Sequence, residues 1–285
     1  MIKYKVLYNP AGNNGKGKEN AENLKNIYSE DELEFIDLTT VNYSEFLASL
    51  DEEDSVVLCG GDGTLNRFIN DVKDEEIKVP VFYYPCGSGN DFWKDVNDQN
   101  LSEPLNINEY IHDLPETEIQ GKKYKFLNNV GFGIDGYCCE VGDKLRQTSN
   151  KPINYTSIAI KGLLFNYKPT CATITVDGVT KEYKHVWLAP TMNGRYYGGG
   201  MMPTPAQDRK DPSGTLSVMV LHCASKLKTL MIFPSIFKGE HIKHVKNVEV
   251  LTGKEITVKF DSPRAAQVDG ETILGVTEYT ARATK

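Results

Sequence analysis

Two short glycine-rich segments carry residue types that can hold a phosphate group and place an acid beside it. The first reads Cys59-Gly60-Gly61-Asp62-Gly63-Thr64-Leu65-Asn66 and lies between a continuous apolar run and a stretch with helical spacing. Glycine reaches backbone conformations closed to other residues and lets the main chain approach a ligand closely. The N–H groups at the start of the following helix, reinforced by its dipole, make a ready anion site. Thr64 is placed to cap that helix. A carboxylate among phosphate donors is repulsive on its own. Asp62 makes sense there if it contacts Mg²⁺ or accepts a proton from an attacking hydroxyl. The same residues also fit a plainer description, a tight strand–helix turn in which Asp62 satisfies backbone N–H groups.

The second segment, Pro85-Cys86-Gly87-Ser88-Gly89-Asn90-Asp91-Phe92, follows the next strand-like run and again offers small residues, a hydroxyl and an acid. Ligands of open parallel sheets lie outside the carboxyl ends of the strands, so neighbouring strands would set both turns on one crevice. Taken alone, the second turn also reads as an ordinary capped loop. A third turn, residues 9–17, has glycines and a lysine but lacks the GxxxxGK[ST] spacing. That disfavours a P-loop nucleotidase and leaves a surface loop as the alternative. Late in the chain, Asp269-Gly270 is a good hairpin pair, followed directly by Glu271.

The elements that must position these turns alternate. Residues 3–8 read as a strand and 18–28 as a helix, with Ala21, Leu24, Ile27 and Tyr28 at helical spacing. A strand at 33–38 ends at Thr39-Thr40, and a helix follows at 43–50. Residues 55–59 read as a strand buried on both faces, 65–72 as a helix and 79–84 as a strand. Repeated strand–helix units predict a parallel sheet with right-handed crossovers. After about Gly121 helical periodicity becomes rare. Strands are expected at 125–130, 171–176, 182–189, 216–221, 248–251 and 255–260, separated by turns such as Asp177-Gly178. One helical stretch, 154–165, interrupts them. The fold class is α/β in two domains. Residues 1–121 form a three-layer parallel-sheet domain, and 122–285 a mainly β domain whose last strand is free to return to the first.

Composition narrows the function. The 285 residues hold 32 Lys plus Arg against 39 Asp plus Glu, a formal net charge of -7. That balance argues against a nucleic-acid binder and leaves room for a local basic face. A hydrophobic fraction of 40% is ordinary for a globular chain of this length, which can bury a core without staples. The N-terminus lacks the apolar core of a signal peptide, and no run approaches the roughly 18 apolar residues of a membrane-spanning helix. Six cysteines without a CxxC pair, two of them adjacent at Cys138 and Cys139, predict a reduced cytosolic protein without structural zinc.

Taken in order, the motifs resemble the diacylglycerol kinase catalytic-domain family, which includes bacterial lipid kinases and the related sphingosine and ceramide kinases. The resemblance runs from Asn9-Pro10-Ala11-Gly12 and Thr39-Thr40 through GGDGTLN (60–66) and PCGSGNDF (85–92). It continues in FLNNVGFGIDG (126–136), GGGMMPTPAQ (198–207) and QVDGE (267–271). GGDGT alone is shared with NAD kinases and phosphofructokinases, whereas the ordered set is far more specific. The resemblance implies an NAD kinase/diacylglycerol kinase-like fold. Its α/β nucleotide domain and β-sandwich-like domain would have the active site in the cleft between them. It implies transfer of the ATP γ-phosphoryl group, with Mg²⁺, to a lipid hydroxyl. ATP contacts would then come from Asn9, Pro10, Ala11, Gly12, Asn13, Thr39 or Thr40, and Ser88, from Gly60, Gly61, Asp62, Gly63, Thr64, Leu65 and Asn66, and from Gly270. Glu271 matches the proposed base of bacterial members, and Asp62 holds that role in some relatives. Asp135 matches an acid near the lipid head group, and Asp91 would support the phosphate or metal network.

The sequence departs from the family pattern in three places. Arg67 stands where an acid usually follows GGDGTLN. Ser213 stands where many bacterial members have an Asp that helps hold a structural Mg²⁺, leaving Asp211 as the remaining candidate ligand. Bulky Trp93 follows the NDF motif in place of a small residue. The expected partner is a lipid substrate at a membrane surface, reached by a cytoplasmic protein that associates transiently; nucleic acid is not expected, and a homodimer is allowed. Residues 226–259 mix seven lysines with the apolar residues of 229–237, a combination suited to anionic lipid or, equally, to a core element with solvated lysines. Gly198–Met202 reads either as a lip of a lipid cleft or as a simple turn. NAD kinase and a non-catalytic nucleotide- or lipid-binding sensor are the competing functions.

Overall fold

The structure is a computed structural model that describes residues 3–87, 89–97, 102–148 and 153–284. Its chain divides into two compact units, one ending at Leu114 and the other running from Pro115. In the first unit, β1 (Lys3–Tyr8), β2 (Leu33–Asp37), β3 (Asp54–Gly60), β4 (Val81–Pro85) and β5 (Leu105–Asn106) form one sheet in the order β2-β1-β3-β4-β5. The first four strands are parallel and β5 is antiparallel to β4. Between them run α1 (Gly12–Gly15, a kinked turn in which Asn13 and Asn14 are left-handed), α2 (Gly17–Glu22), α3 (Tyr43–Ala48), α4 (Asp62–Asp71), α5 (Asp91–Val96) and α6 (Asn108–Ile111). β3 lies at the centre, with Val56, Val57 and Leu58 wholly inaccessible, as expected of a parallel strand covered on both faces. Ala21 and Leu24 pack on Val6 and Val57 from one side.

The helices depart from the sequence reading at their ends. α2 stops at Glu22 and continues as a tighter 3-10 turn over Asn23–Asn26. α4 begins at Asp62, three residues before the predicted start, with Gly61 as its N-cap. Thr64 therefore sits inside the helix and does not cap it.

The second unit holds β6 (Glu116–Ile119), β7 (Lys122–Lys125), β8 (Asn129–Gly133), β9 (Thr170–Val176), β10 (Val179–Val186), β11 (Leu188–Met192), β12 (Leu216–Leu221), β13 (Val248–Gly253), β14 (Glu255–Val268) and β15 (Glu271–Arg282). All pairings recorded among them are antiparallel. β14 is the pivot. Its first half pairs with β9 and its second half with β8, while β15 runs along its other edge. The register shifts between Lys259 and Ala266, around Pro263, which cannot donate to a ladder. That bend carries one strand from one layer of the sandwich to the other, and it explains why the strand expected at 255–260 runs on to Val268. Phe132, stacked on Phe260 at 4.7 Å, fills the interior beside Tyr279.

Two predicted strands shift for local reasons. The run at 182–189 is divided at Trp187 between β10 and β11, and left-handed His185 (φ 51) lies where the register of β10 shifts. The run at 125–130 is split because the N–H groups of Leu127 and Asn128 turn to the Asp269 carboxylate. The β6–β7 hairpin, which spans the expected boundary at 121/122, belongs to the second sheet, and β15 pairs with β14 and β6 there. Helix α7 (Ile134–Thr148) follows β8 without a loop and was not expected. α8 (Tyr155–Lys161) ends in a wide turn over Gly162–Asn166, and α9 (Lys226–Ile236) is the third helix of this unit.

Candidate active site

The first unit brings four predicted segments to one edge of its sheet. The turn at residues 9–13 leaves the carboxyl end of β1, Thr39 and Thr40 follow β2, the GGDGTLN turn follows β3 and the PCGSGNDF turn follows β4. These are four neighbouring parallel strands, and their carboxyl ends define the ligand edge of such a sheet. Each turn is built for close approach. Asn9 accepts from Ala11 N through its side chain (3.0 Å) and from Gly12 N through its carbonyl (2.9 Å). Asn13 and Asn14 are left-handed, and a Cβ on Gly17 would lie 1.8 Å from the Asn9 carbonyl oxygen. Beyond β2, the Asp37 carboxylate accepts from the Thr39 N–H and hydroxyl at 2.9 and 2.7 Å.

The two glycine turns after β3 and β4 touch backbone to backbone. A Cβ on Gly87 would lie 2.6 Å from Gly61 Cα, so this contact requires glycine. Asn90, left-handed at φ 49, clasps Gly87 by accepting from its N–H (3.1 Å) and donating to its carbonyl (2.8 Å). Buried Tyr83 donates its hydroxyl to Gly60 O at 3.0 Å. Trp93 packs edge-on against the same Tyr83 ring, which accounts for the bulky residue after NDF. The Asp62 carboxylate accepts from Asp91 N at 2.9 Å and Phe92 N at 2.8 Å, the first N–H groups of α5. Asp62 thus does what the plainer sequence description anticipated, and it ties the first turn to the second. Asp91 is buried at the start of that helix. Burial pushes the Cys59 thiol up, while its hydrogen bond to Cys86 lowers the Cys86 thiol. Ser88 lies outside the described residues.

The second unit joins two segments more than 130 residues apart. Gln267 pairs with Gly131 across β14 and β8. Its side chain reaches toward Asp135 Oδ2 at 3.4 Å and accepts from Gly270 N at 2.8 Å. Asp135 also accepts from Gly136 N at 2.8 Å. Gly131 leaves room for its carboxyl, since a Cβ there would meet Asp135 Oδ2 at 2.4 Å, and Gly136 lets α7 rest on the Ala265 carbonyl. Asp269 and Gly270 are both left-handed, forming the tight hairpin between β14 and β15. The Asp269 carboxylate accepts from three successive N–H groups, those of Leu127, Asn128 and Asn129. Glu271 stands exposed at the first position after this clamped turn. The sequence marks Asp269 only as half of a hairpin pair; its hold on three N–H groups before β8 carries no local signal.

Burial raises the Asp135 carboxyl from 3.8 to about 6, an effect that its hydrogen bonds only partly offset. The folded chain therefore keeps a proton that the unfolded chain has lost between those values. Stability contributed by this group is fully present below about pH 4 and falls as pH rises through 6, by on the order of 3 kcal/mol. Asp135→Asn is expected to remove this slope in urea melts run across pH 4–7; an unchanged slope would show another group responsible.

Residues 3–120 match the family described as diacylglycerol kinase catalytic domain, and residues 128–283 match the YegS C-terminal NAD kinase beta sandwich-like domain. The chain belongs to the diacylglycerol kinase catalytic-domain family. It is a kinase. It is 23% identical over 242 residues to a Bacillus subtilis protein named "Putative lipid kinase YtlR", covering 79% of this chain and 75% of that one. It is 27% identical over 217 residues to the diacylglycerol kinase of Mycobacterium tuberculosis H37Rv, covering 74% and 67%. Its fold matches a crystal structure of "a putative diacylglycerol kinase" from Bacillus anthracis with a TM-score of 0.68 and 21% identity, over 98% of this chain and 91% of that one.

In this family member the remaining departures have a visible setting. Arg67 lies on the exposed side of α4 and pairs with Asp71 at 3.4 Å, one turn on. The Asp211 carboxylate accepts from Ser213 N at 2.8 Å within a surface turn, which holds it below the usual carboxylate range. Among the described residues no cluster of three or more His, Cys, Asp or Glu side chains is arranged to hold a metal ion. The Gly198–Met202 segment is a closed loop, with Tyr197 and Met201 exchanging both backbone hydrogen bonds at 3.0 Å.

Proposed function

We propose that this protein is an ATP-dependent lipid kinase that phosphorylates the hydroxyl of diacylglycerol or a similar lipid alcohol. The observation that carries this reading is the convergence of four predicted nucleotide segments at the carboxyl ends of β2, β1, β3 and β4. The N–H groups opening α4 hold the phosphates, and Gly61 and Gly87 let the main chain approach them. Phosphoryl transfer asks for positioning and charge neutralisation more than covalent help. A divalent cation bound with the nucleotide would supply charge neutralisation for the transferred phosphoryl group; among the described residues no cluster of side chains is arranged to hold one, and Asp211, held within its own turn, is not assigned to it. Glu271 accepts the proton of the acceptor hydroxyl as its oxygen bonds to the γ-phosphorus and the bond to the ADP oxygen breaks. Asp135, in contact with Gln267, fixes the same hairpin from below and lies near the acceptor's head group.

The test uses purified protein, Mg²⁺ and γ-labelled ATP, with diacylglycerol, sphingosine, ceramide and a polyprenol in mixed micelles and NAD in a parallel tube. Label in an organic-phase product is expected. Label in NADP alone, or ATP binding without any transfer, overturns the reading. Because Arg67 faces solvent beside Asp71, Arg67→Glu is expected to leave ATP affinity within about tenfold, or about 1.4 kcal/mol, by titration calorimetry. Complete loss of binding would make Arg67 part of the site.

A further inference from the structure

Helix α9 is apolar on two opposite sides. Thr229, Ile232, Phe233 and Ile236 face the core, as a surface helix requires. Leu227, Met231 and Pro234, spaced i, i+4, i+7, form a second stripe that faces outward. Leu227 is 70% exposed and Met231 65%. The stripe does not end with the helix. At its start, Lys226 donates to the Leu164 carbonyl at 2.9 Å, which brings up the turn after α8 and its Phe165, 74% exposed. Past its end, Ile242 and Val245 continue the exposed apolar surface. Among the described residues, ten of the thirteen exposed large hydrophobic side chains fall between Leu145 and Phe165 or between Leu227 and Val245, and none falls in the first unit. Scattered single exposures are ordinary; this concentration is not.

The charge of the same surface indicates what covers it. Residues 153–168 and 226–246 together hold seven lysines and one glutamate, in a chain whose net charge is -7. The single glutamate, Glu240, is already paired with Lys243 at 3.1 Å. An apolar stripe rimmed by cations suits an interface with apolar tails beneath anionic head groups. A two-fold contact with a second copy would set the same lysines against one another, and like charges repel. We propose that the outward stripe of α9, with the turn after α8, docks this protein on an anionic lipid bilayer. The docked face connects to the glycine loop by a short path, since Met202 N donates to Ile236 O at 3.0 Å, at the carboxyl end of α9. The membrane's role as the source of substrate rests on the proposed lipid kinase activity; the docking itself does not.

The test is co-sedimentation of the full chain, without nucleotide, with vesicles of phosphatidylcholine alone or mixed with phosphatidylglycerol. Binding is expected only with the anionic lipid and is expected to weaken with salt. Leu227→Gln combined with Met231→Gln is expected to lower binding at least about tenfold while leaving the urea midpoint unchanged, since both side chains are largely exposed. Lys238→Gln with Lys243→Gln is expected to lower it by a similar factor and to flatten the salt dependence. Leu227→Trp should add emission that brominated lipid quenches. Unchanged binding in the apolar double variant, absent quenching, or loss of self-association in place of vesicle binding overturns the proposal. Label transfer to lipid in micelles by a protein that ignores vesicles would sink the docking and leave the kinase standing. Vesicle binding without label transfer would do the reverse.

Discussion

Asp62→Asn is expected to lower kcat/KM by about 10–10²-fold, with losses in both ATP affinity and turnover. The substitution is nearly isosteric, so its effect comes from the hydrogen bonds alone. Both carboxylate oxygens of Asp62 accept from the N–H groups that open α5, at 2.9 and 2.8 Å. An amide keeps one acceptor and turns a donor toward the other N–H, leaving a partly buried donor without its charged partner. That costs on the order of 1–3 kcal/mol and loosens the tie between the two glycine turns. Gly61 and Gly87 then no longer hold the close approach on which phosphate binding depends. A urea melt and an ATP titration on the same sample should therefore both move. A variant that loses turnover while keeping full stability and ATP affinity would show that Asp62 acts on the proton and not on the position of the turns.

Much of the first unit was legible because its central strand, β3, is buried on both faces and reads as an apolar run closed by a glycine turn. The residues 55–59 run followed by GGDGT fixes both a strand and the place where its helix begins, to within three residues. The error came from reading Thr64 as a cap, when Gly61, extended at φ -107, already occupies that position. The second unit was less legible for a reason visible in α7. Its buried positions are Ile134, Asp135, Gly136, Cys138 and Gly142, mostly small or polar, so the helix presents no apolar stripe to recognise. Close packing on β14 takes the place of large side chains, and only a backbone view reveals it. The site was legible in its motifs but not in its wiring. Gln267, which joins Asp135 to Gly270, and Asp269, which gathers three N–H groups, are ordinary polar residues until β14 is laid beside β8.

That wiring makes Glu271→Gln the sharper experiment. Glu271 is exposed, and the hairpin beneath it is fixed by other residues. Asp269 holds the loop before β8, Gln267 holds Gly270, and Thr272 donates to Asp143 Oδ2 at 2.6 Å, anchoring β15 to α7. Glutamine preserves the size of the side chain and removes only its capacity to take a proton. Turnover is expected to fall by about 10²–10⁴-fold, the usual scale for a proton acceptor, with the urea midpoint and ATP affinity unchanged. The contrast with Asp62→Asn is what carries the assignment. One acid ties two turns together, and its loss spreads to stability and binding. The other stands on a turn that does not depend on it, so its loss should appear in kcat alone. If Glu271→Gln turns over at the wild-type rate, the proton goes elsewhere and Asp62 becomes the acid to test by its pH–rate profile.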